Sequence, residues 1–179
     1  DRFYRSAELM RLKVPLTREE MKEKIEYLIA QNRFGRSGIK LLLTGGYSDD
    51  LYVPPKEPNF LILNKPISHK PEEFGEGAKL LLLDYQRWQP EVKTTYYLPS
   101  LVKFDEMKEK GAIEVLYHHN GIISETTRAN IFVIRDGILA TPSPGVLKGI
   151  TRKYVLQVAG AFMPVEEREV RLSELRECD

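Results

Sequence analysis

The sequence predicts an α+β protein with a smaller first domain and a larger, strand-rich second domain. Its first 64 residues carry two helix patterns and two strand patterns, and residues 65–77 form a polar stretch with two prolines and two glycines. Such a stretch is typical of a linker. The remainder, residues 78–179, contains two β-hairpin signals, Asn120-Gly121 and Asp136-Gly137. We therefore predict domains over residues 1–64 and 78–179, joined by this linker.

The composition is that of a folded chain with balanced charge. Of its 179 residues, 42% are hydrophobic, which is enough to bury a core. Lysine and arginine total 27 against 26 aspartates and glutamates, without a basic block, so neither nucleic acid nor an anionic membrane is expected as a partner. The longest apolar runs, such as residues 80–83, are too short to cross a bilayer. Cys178 is the single cysteine, which excludes an internal disulfide. We expect a cytoplasmic protein.

The first domain begins with two predicted helices. Residues 1–13 carry apolar residues among charged ones in an amphipathic helix pattern, and Pro15 ends that pattern. Thr17 and Glu20 have the spacing of a capping box, in which each side chain accepts a hydrogen bond from the other residue's backbone N–H. The helix that follows ends near Asn32.

Strand patterns come next. Residues 39–44 and 60–63 predict two strands on either side of a loop rich in turn-forming residues. The second domain opens with a strand over residues 79–85, whose continuous apolar run predicts burial on both faces.

The rest of the second domain predicts helices packed on a mostly antiparallel sheet. A helix over residues 100–110 ends at Gly111. The two hairpins pair residues 113–117 with 122–125, and residues 129–134 with 138–141. Residues 149–162 predict a last helix whose apolar side chains face a core, namely Ile150, Tyr154, Val155, Val158 and Phe162.

Both ends of the chain resemble interrupted elements. The first residues lie within a helix pattern, and residues 172–179 are typical of the first turn of another helix. We therefore expect further residues in both directions.

Glu125 is a carboxylate between apolar strand residues. Burying such a group costs free energy unless a cation or an N–H donor pairs with it. On its position alone, a solvated glutamate at a strand end is the more common case.

Lys93 lies in the segment EVKTTYYL, shortly after Trp88. A lysine in an aromatic setting can have a lowered pKa, and the neutral amine is a nucleophile that can form a Schiff base. Because most lysines lie on the surface, this position alone does not decide between the two roles.

The segment Gly149-Ile150-Thr151 begins the last helix. Its free N–H groups and the Thr151 hydroxyl could bind a phosphate, or simply cap the helix. No Gly-Lys-Ser/Thr sequence follows, so nucleotide hydrolysis is not expected. The histidines His69, His118 and His119 lack partners at metal-ligand spacing, and we expect no metal site.

Together these features resemble the class IV (fold type IV) pyridoxal-phosphate enzymes. That group holds the branched-chain and D-amino acid aminotransferases and aminodeoxychorismate lyase. Lys93 and Glu125 stand 32 residues apart, as the family pattern expects. The resemblance covers nearly the whole chain and is carried, in order, by the segments DRFYRSA, VKTTYYL, ISETTRANIFVIRDGILATP and GVLKGITR.

The resemblance implies a role for each matched residue around the cofactor pyridoxal 5′-phosphate (PLP). Lys93 would bind the cofactor covalently and carry a proton between it and the substrate. Glu125 would pair with the pyridine nitrogen and keep it protonated. Arg2 and Ile150-Thr151 would bind the phosphate. Tyr97 would donate a hydrogen bond to the phenolic oxygen.

The sequence departs from the family pattern in places. Tyr96 stands where many relatives have asparagine, and Arg128 stands where the residue is more often small. Arg128 would lie close to the substrate, where it could bind a carboxylate or face solvent. The loop after Gly45-Gly46 lacks the arginine with which D-amino acid aminotransferases hold the substrate carboxylate. The family's first strands and its C-terminal segment are absent.

The expected function is a PLP-dependent aminotransferase that moves an amino group between an amino acid and a 2-oxo acid by a ping-pong mechanism. Tyr97 and the missing arginine favour a branched-chain substrate. Two alternatives are aminodeoxychorismate lyase, in the same family, and a non-catalytic binding or structural protein that keeps the fold. The resemblance also implies two domains with the cofactor between them, and a homodimer.

Overall fold

The computed structural model describes residues 1–50, 52–53, 57–67 and 77–178. The chain divides into unit 1, Asp1–Gly75, and unit 2, Glu76–Asp179. This division falls within the predicted linker, residues 65–77. Because residues 68–76 lie outside the described residues, the linker and its bounds remain predictions.

The described residues of unit 1 form two helices and one antiparallel strand pair. Its elements are α1 (Arg2–Leu9), α2 (Arg18–Asn32), β1 (Ser37–Thr44) and β2 (Asn59–Pro66). The capping box is confirmed: the Thr17 hydroxyl accepts from the Glu20 N–H at 3.2 Å, and the Glu20 carboxylate accepts from the Thr17 N–H at 2.8 Å. Both predicted strands are also confirmed, whereas α1 ends earlier than predicted because Arg11 adopts a φ of 54°.

Unit 2 is strand-rich, as predicted, and contains two sheets. Its strands are β3 (Lys79–Asp84), β4 (Ala112–His119), β5 (Ile122–Thr126), β6 (Val133–Arg135), β7 (Ile138–Pro142), β8 (Val165–Arg168) and β9 (Val170–Arg171). One sheet has the order β3-β4-β5-β9 and the other β6-β7-β8. Its helices are α3 (Leu98–Leu101), α4 (Phe104–Lys110), α5 (Ile150–Ala159) and a 3-10 helix, Leu172–Arg176.

The two predicted hairpins are confirmed. Between β4 and β5, Asn120 has a φ of 50° and Gly121 a φ of 78°; between β6 and β7, Asp136 has 51° and Gly137 has 73°. Positive φ at both central residues is the geometry of a type I′ turn, which asparagine, aspartate and glycine tolerate. The hairpins bring the end of β5 close to the start of the second hairpin, where Glu125 forms an isolated bridge with Asn130.

The core of unit 2 includes side chains from strands of both sheets. Its buried cluster consists of Leu116, Ile123, Val133, Ala140 and Val170. Alternate residues of a strand face opposite sides of the sheet. Because Ile123 faces the core, Ser124 faces the other side and Glu125 faces the same side as Ile123. The carboxylate therefore enters the interior with the core residues.

Two predictions about packing are wrong. Strand β3 is not buried on both faces, since Leu80 and Leu82 are 37% and 50% exposed; it forms the edge of its sheet. The apolar residues that the last predicted helix was expected to turn towards a core are largely exposed: Tyr154 in α5 is 59% exposed, and Phe162, which lies beyond the end of α5 at Ala159, is 85% exposed. The buried residue of α5 is instead Arg152.

The predicted helix over residues 100–110 is divided. It consists of α3, a single turn, and α4, separated by Val102 and Lys103. Gly111 ends α4 in the left-handed conformation, with a φ of 66°, as predicted. Among the described residues, no helix is both long and apolar enough to cross a membrane.

Candidate active site

Glu125 is the centre of a buried polar cluster in unit 2. The residue is 4% exposed. The Arg87 guanidinium forms an ion pair with its Oε1 atom. Its Oε2 atom accepts hydrogen bonds from the Leu147 backbone N–H at 3.1 Å and from the Asn130 side-chain amide at 3.3 Å. The structure therefore places Glu125 as a paired interior carboxylate rather than a solvated strand end.

The charge state of Glu125 reflects opposing effects. Burial, the largest of them, raises the pKa of the Glu125 carboxyl above its ordinary value because the charged form loses hydration. The Arg87 guanidinium, the Leu147 N–H and the positive charge of Lys93 each lower that pKa. The Lys93 charge therefore acts on the Glu125 carboxylate, so the structure brings together the two residues that the sequence singled out.

Lys93 lies in an irregular segment that joins β3 to α3. Arg87 belongs to the same segment and donates hydrogen bonds to its backbone. The Nη1 atom of Arg87 donates to the Pro90 carbonyl at 3.2 Å, and its Nη2 atom donates to the Val92 carbonyl at 2.8 Å. Val92 is 2% exposed, so it anchors the segment in the interior next to the exposed Lys93. These contacts hold a stretch without regular secondary structure in a defined position.

The first turn of α5 lies beside the Glu125 cluster. Asn130 donates to the Leu147 carbonyl at 2.8 Å, two residues before Gly149, the residue that precedes the helix. A Cβ at Gly149 would lie closer than 3.0 Å to the Asn130 side-chain oxygen, so the amide packs directly on the backbone there. Ile150 and Thr151 are exposed, and the first N–H groups of a helix have no partner within it.

The remaining predicted site residues are less constrained by contacts. Arg128 is 71% exposed and its Nε atom donates to Glu114 at 3.0 Å, so a substrate carboxylate would compete with that pair. Tyr97 is half-buried and precedes α3. Arg2 begins α1 in unit 1, and its role in binding phosphate remains a prediction from the resemblance.

Sequence reasoning missed Arg87 and gave no role to Asn130. The signal for Arg87 was available: a buried carboxylate needs a cation, and Arg87 stands six residues before Lys93 in YQRWQPEVK. Its distance of 38 residues from Glu125 hid the pairing. Asn130 follows Glu125 by five residues, but its contact with the Leu147 carbonyl depends on the loop after β7.

The described residues fit PLP by the chemistry of their donors and acceptors. A carboxylate accepts about four hydrogen bonds, and Arg87, Leu147 and Asn130 account for three on Glu125. A protonated pyridine nitrogen is one further donor. The start of α5 supplies N–H groups suited to a phosphate, and Lys93 supplies an amine whose charge acts on the Glu125 carboxylate.

Comparison with known proteins gives a family and a fold. The family model described as Amino-transferase class IV matches residues 1–179. D-Alanine aminotransferase of Listeria monocytogenes is 28% identical over 188 residues, which span 100% of this chain and 65% of that protein. The chain thus covers less than two thirds of that relative's length.

Solved structures agree with the predicted fold. The branched-chain aminotransferase from Thermoproteus uzoniensis, determined with norvaline, matches with a TM-score of 0.86 and 27% identity, over 99% of this chain and 63% of that one. A putative 4-amino-4-deoxychorismate lyase from Legionella pneumophila gives a TM-score of 0.87 at 24% identity, over 99% and 68% of the two chains, and shows the shared fold alone. The prediction of fold type IV is confirmed.

Proposed function

This chain belongs to the class IV aminotransferases, as its resemblance predicted, and we propose that the protein is a PLP-dependent aminotransferase. It would move an amino group between an amino acid and a 2-oxo acid in two half-reactions. The observation that carries this proposal is the interior carboxylate of Glu125. Three hydrogen-bond donors hold this carboxylate, and the positive charge of Lys93 lowers its pKa.

Each residue of the site has a distinct task in this proposal. Glu125 holds a proton at the pyridine nitrogen of the cofactor. Bound PLP supplies an electron-withdrawing ring that stabilises negative charge at the substrate carbon. Lys93 anchors the cofactor and moves the proton to and from that carbon. Ile150-Thr151 and Arg2 hold the phosphate, and Tyr97 the phenolic oxygen.

The anchoring role of Lys93 has a direct test. Borohydride reduction of the purified protein with PLP fixes the cofactor to the lysine that binds it, and peptide mapping locates the label. We expect the label on Lys93, and its absence from the Lys93→Ala variant. Lys103, which pairs with Glu106 on α4, provides the control substitution Lys103→Ala, which should label normally. A label elsewhere, or none, would overturn the proposal.

Glu125 is tested by an isosteric change. Glu125→Gln removes the charge while keeping the size of the side chain, and we expect a loss of about 10²–10³ in kcat, the magnitude typical of removing one preorganised electrostatic partner. Glu125→Ala should in addition weaken cofactor binding. Steady-state kinetics with saturating PLP would measure both effects. A rate equal to that of the unchanged protein would remove Glu125 from the mechanism.

Substrate choice remains to be measured. Tyr97 and the absence of an arginine after Gly45-Gly46 favour a branched-chain substrate, while D-alanine aminotransferases are among the relatives. A panel of L- and D-amino acids, scored by the change in cofactor absorbance, would rank the candidates. Release of pyruvate from aminodeoxychorismate without an amino acceptor would instead indicate a lyase and overturn the aminotransferase proposal.

We further propose that the protein is a cytoplasmic homodimer. The proposal of a dimer is supported by apolar side chains exposed on α3, α4 and α5, including Leu101 (62%), Phe104 (61%) and Tyr154 (59%). The cytoplasm is supported by the single, unpaired cysteine, Cys178. Light scattering after size exclusion would test the dimer, which a catalytically active monomer would contradict. Cell fractionation would test the compartment.

A further inference from the structure

Arg87 joins two parts of the site that are distant in the sequence. Its guanidinium contacts the Glu125 carboxylate on one side and the carbonyls of Pro90 and Val92 on the other. Glu125 lies in β5, one residue before the end of the strand, whereas the two carbonyls belong to the segment that carries Lys93. The Arg87 side chain therefore contacts both the Glu125 carboxylate and the backbone beside Lys93.

The environment of this ion pair makes it energetically important. The Arg87 and Glu125 side chains are 15% and 5% exposed, so water screens their charges little. By contrast, Arg128 in the pair with Glu114 is 71% exposed, and such pairs contribute little. Removing one member of a buried pair leaves the other charge without compensation. Glu125 therefore depends on Arg87 to remain ionised in the interior.

The contacts of Arg87 exceed what neutralising a charge requires. A single cation near Glu125 would suffice to compensate it, but the planar guanidinium also donates to two carbonyls on separate nitrogens. Val92, whose carbonyl accepts one of these bonds, is buried and directly precedes Lys93. A fork with three acceptors fixes the direction of the segment as well as the charge of the carboxylate.

We propose that Arg87 is a positioning residue of this site: it holds Glu125 ionised and keeps the segment that carries Lys93 in place against it. This role rests on the proposed function, because the arrangement serves a cofactor that binds Lys93 and Glu125 together. Arg87 itself makes no contact with substrate in the proposal. It acts through the two residues that it orients.

The first test measures the charge of Glu125 in the PLP-free protein. Carboxyl ¹³C resonances of labelled glutamate, with Glu125 assigned from the Glu125→Gln variant, give its pKa directly. Because a nearby cation lowers a carboxyl pKa by about 1–3, Arg87→Met should raise the Glu125 pKa by that amount. The control is Arg135→Met, which removes another paired arginine of unit 2, the partner of Glu177. It should leave Glu125 unchanged.

The second test measures the segment that carries Lys93. The Thr94 N–H donates to the Val92 carbonyl at 3.1 Å, and the Val92 N–H donates to the Gln89 carbonyl at 2.9 Å. Arg87→Lys keeps a cation but cannot reproduce the three-acceptor fork. We expect hydrogen exchange at both amides to accelerate on the order of tenfold in this variant, because the guanidinium bonds to the Pro90 and Val92 carbonyls that restrain the segment are lost. Arg135→Lys is the control.

The results decide the proposal independently of the function. An unchanged Glu125 pKa in folded Arg87→Met overturns the charge role, and unchanged exchange in Arg87→Lys overturns the positioning role. If Arg87→Met does not fold, Arg87→Lys carries both measurements, with a smaller rise in the Glu125 pKa expected. Borohydride labelling of Lys93 tests the function separately, so either conclusion can fail while the other stands.

Discussion

Gly149→Ala is the substitution whose effect follows most directly from the geometry of this site. The added Cβ would lie closer than 3.0 Å to the Asn130 side-chain oxygen, a distance that real Cβ atoms do not show. The backbone of Gly149 is extended, with φ −64° and ψ 150°, so alanine adopts it without strain. The clash must therefore be relieved by movement of Asn130.

The cost of that movement can be estimated from the bonds of Asn130. Its amide donates to the Leu147 carbonyl at 2.8 Å and to Glu125 at 3.3 Å. At about 1 kcal/mol for each hydrogen bond, displacement costs about 2 kcal/mol. For a protein of this size, that free energy corresponds to a Tm decrease of about 4–8 °C. Alanine is also a poorer residue than glycine at the start of a helix, which adds a few tenths of a kcal/mol.

The assay separates the clash from these local effects. Thermal unfolding followed by circular dichroism would compare Gly149→Ala with Gly77→Ala, because a Cβ at Gly77 meets nothing within 4 Å. In an Asn130→Ala background the clash is absent, so Gly149→Ala should then cost about 2 kcal/mol less. An equal Tm decrease in both backgrounds would refute the reasoning, because it would show that Asn130 and Gly149 are not coupled.

Two further predictions concern stability outside the site. Lys110 and Lys103 hold the pKa of the Glu106 carboxyl at about 2, below its usual 4.5. The contribution of the ionised Glu106 carboxylate to the stability of the folded protein is therefore complete above about pH 4.5 and is lost as the pH falls through 2. Glu106→Gln should therefore lower Tm at neutral pH but not below pH 2, in contrast to the control Glu109→Gln; an equal decrease at both pH values would contradict this. Thr141, fully buried, donates to the Ile131 carbonyl at 2.6 Å, so Thr141→Val should cost about 1–3 kcal/mol in urea unfolding, with exposed Thr95→Val as a neutral control.

Local chemistry explains which elements could be predicted from the sequence. The Asn120-Gly121 and Asp136-Gly137 turns depend on two adjacent residues, and the Thr17 capping box depends on a partner three residues along the chain. Strands β8 and β9 have four and two residues, too few for a hydrophobic period to emerge. Short strands of this kind form because they pair with a neighbouring strand, β7 for β8 and β5 for β9, and not because of their own composition.

Packing partners explain the errors. The apolar run of β3 predicts a strand covered on both faces, but an edge strand with one exposed face carries the same residues. Likewise, the apolar residues of α5 recur at helical spacing and predict a helix with one apolar face. That spacing does not predict which part of the protein, if any, covers the apolar face. The pairing of Arg87 with Glu125 is of the same kind, because it joins residues 38 positions apart.

The position of α5 shows how the sheet determines the candidate phosphate site. Arg152, in the first turn, places a cation where the helix dipole disfavours one. It is nevertheless 5% exposed, and its Nη2 atom donates to the Pro142 carbonyl at 3.0 Å and to the Glu167 carboxylate at 2.8 Å. These partners lie on β7 and β8, so they offset the unfavourable charge and tie the start of the helix to the strand pair.

Asn130 provides the second tie, from the Glu125 side. It contacts the backbone at Leu147 and Gly149, immediately before the helix begins. No side chain of the preceding residue caps α5, since that residue is glycine. The directions of the N–H groups at Ile150-Thr151 are therefore set by Arg152 and Asn130 together. It follows that the distance between the Glu125 carboxylate and the N–H groups at Ile150-Thr151 is fixed by the fold of unit 2 itself, before any cofactor binds.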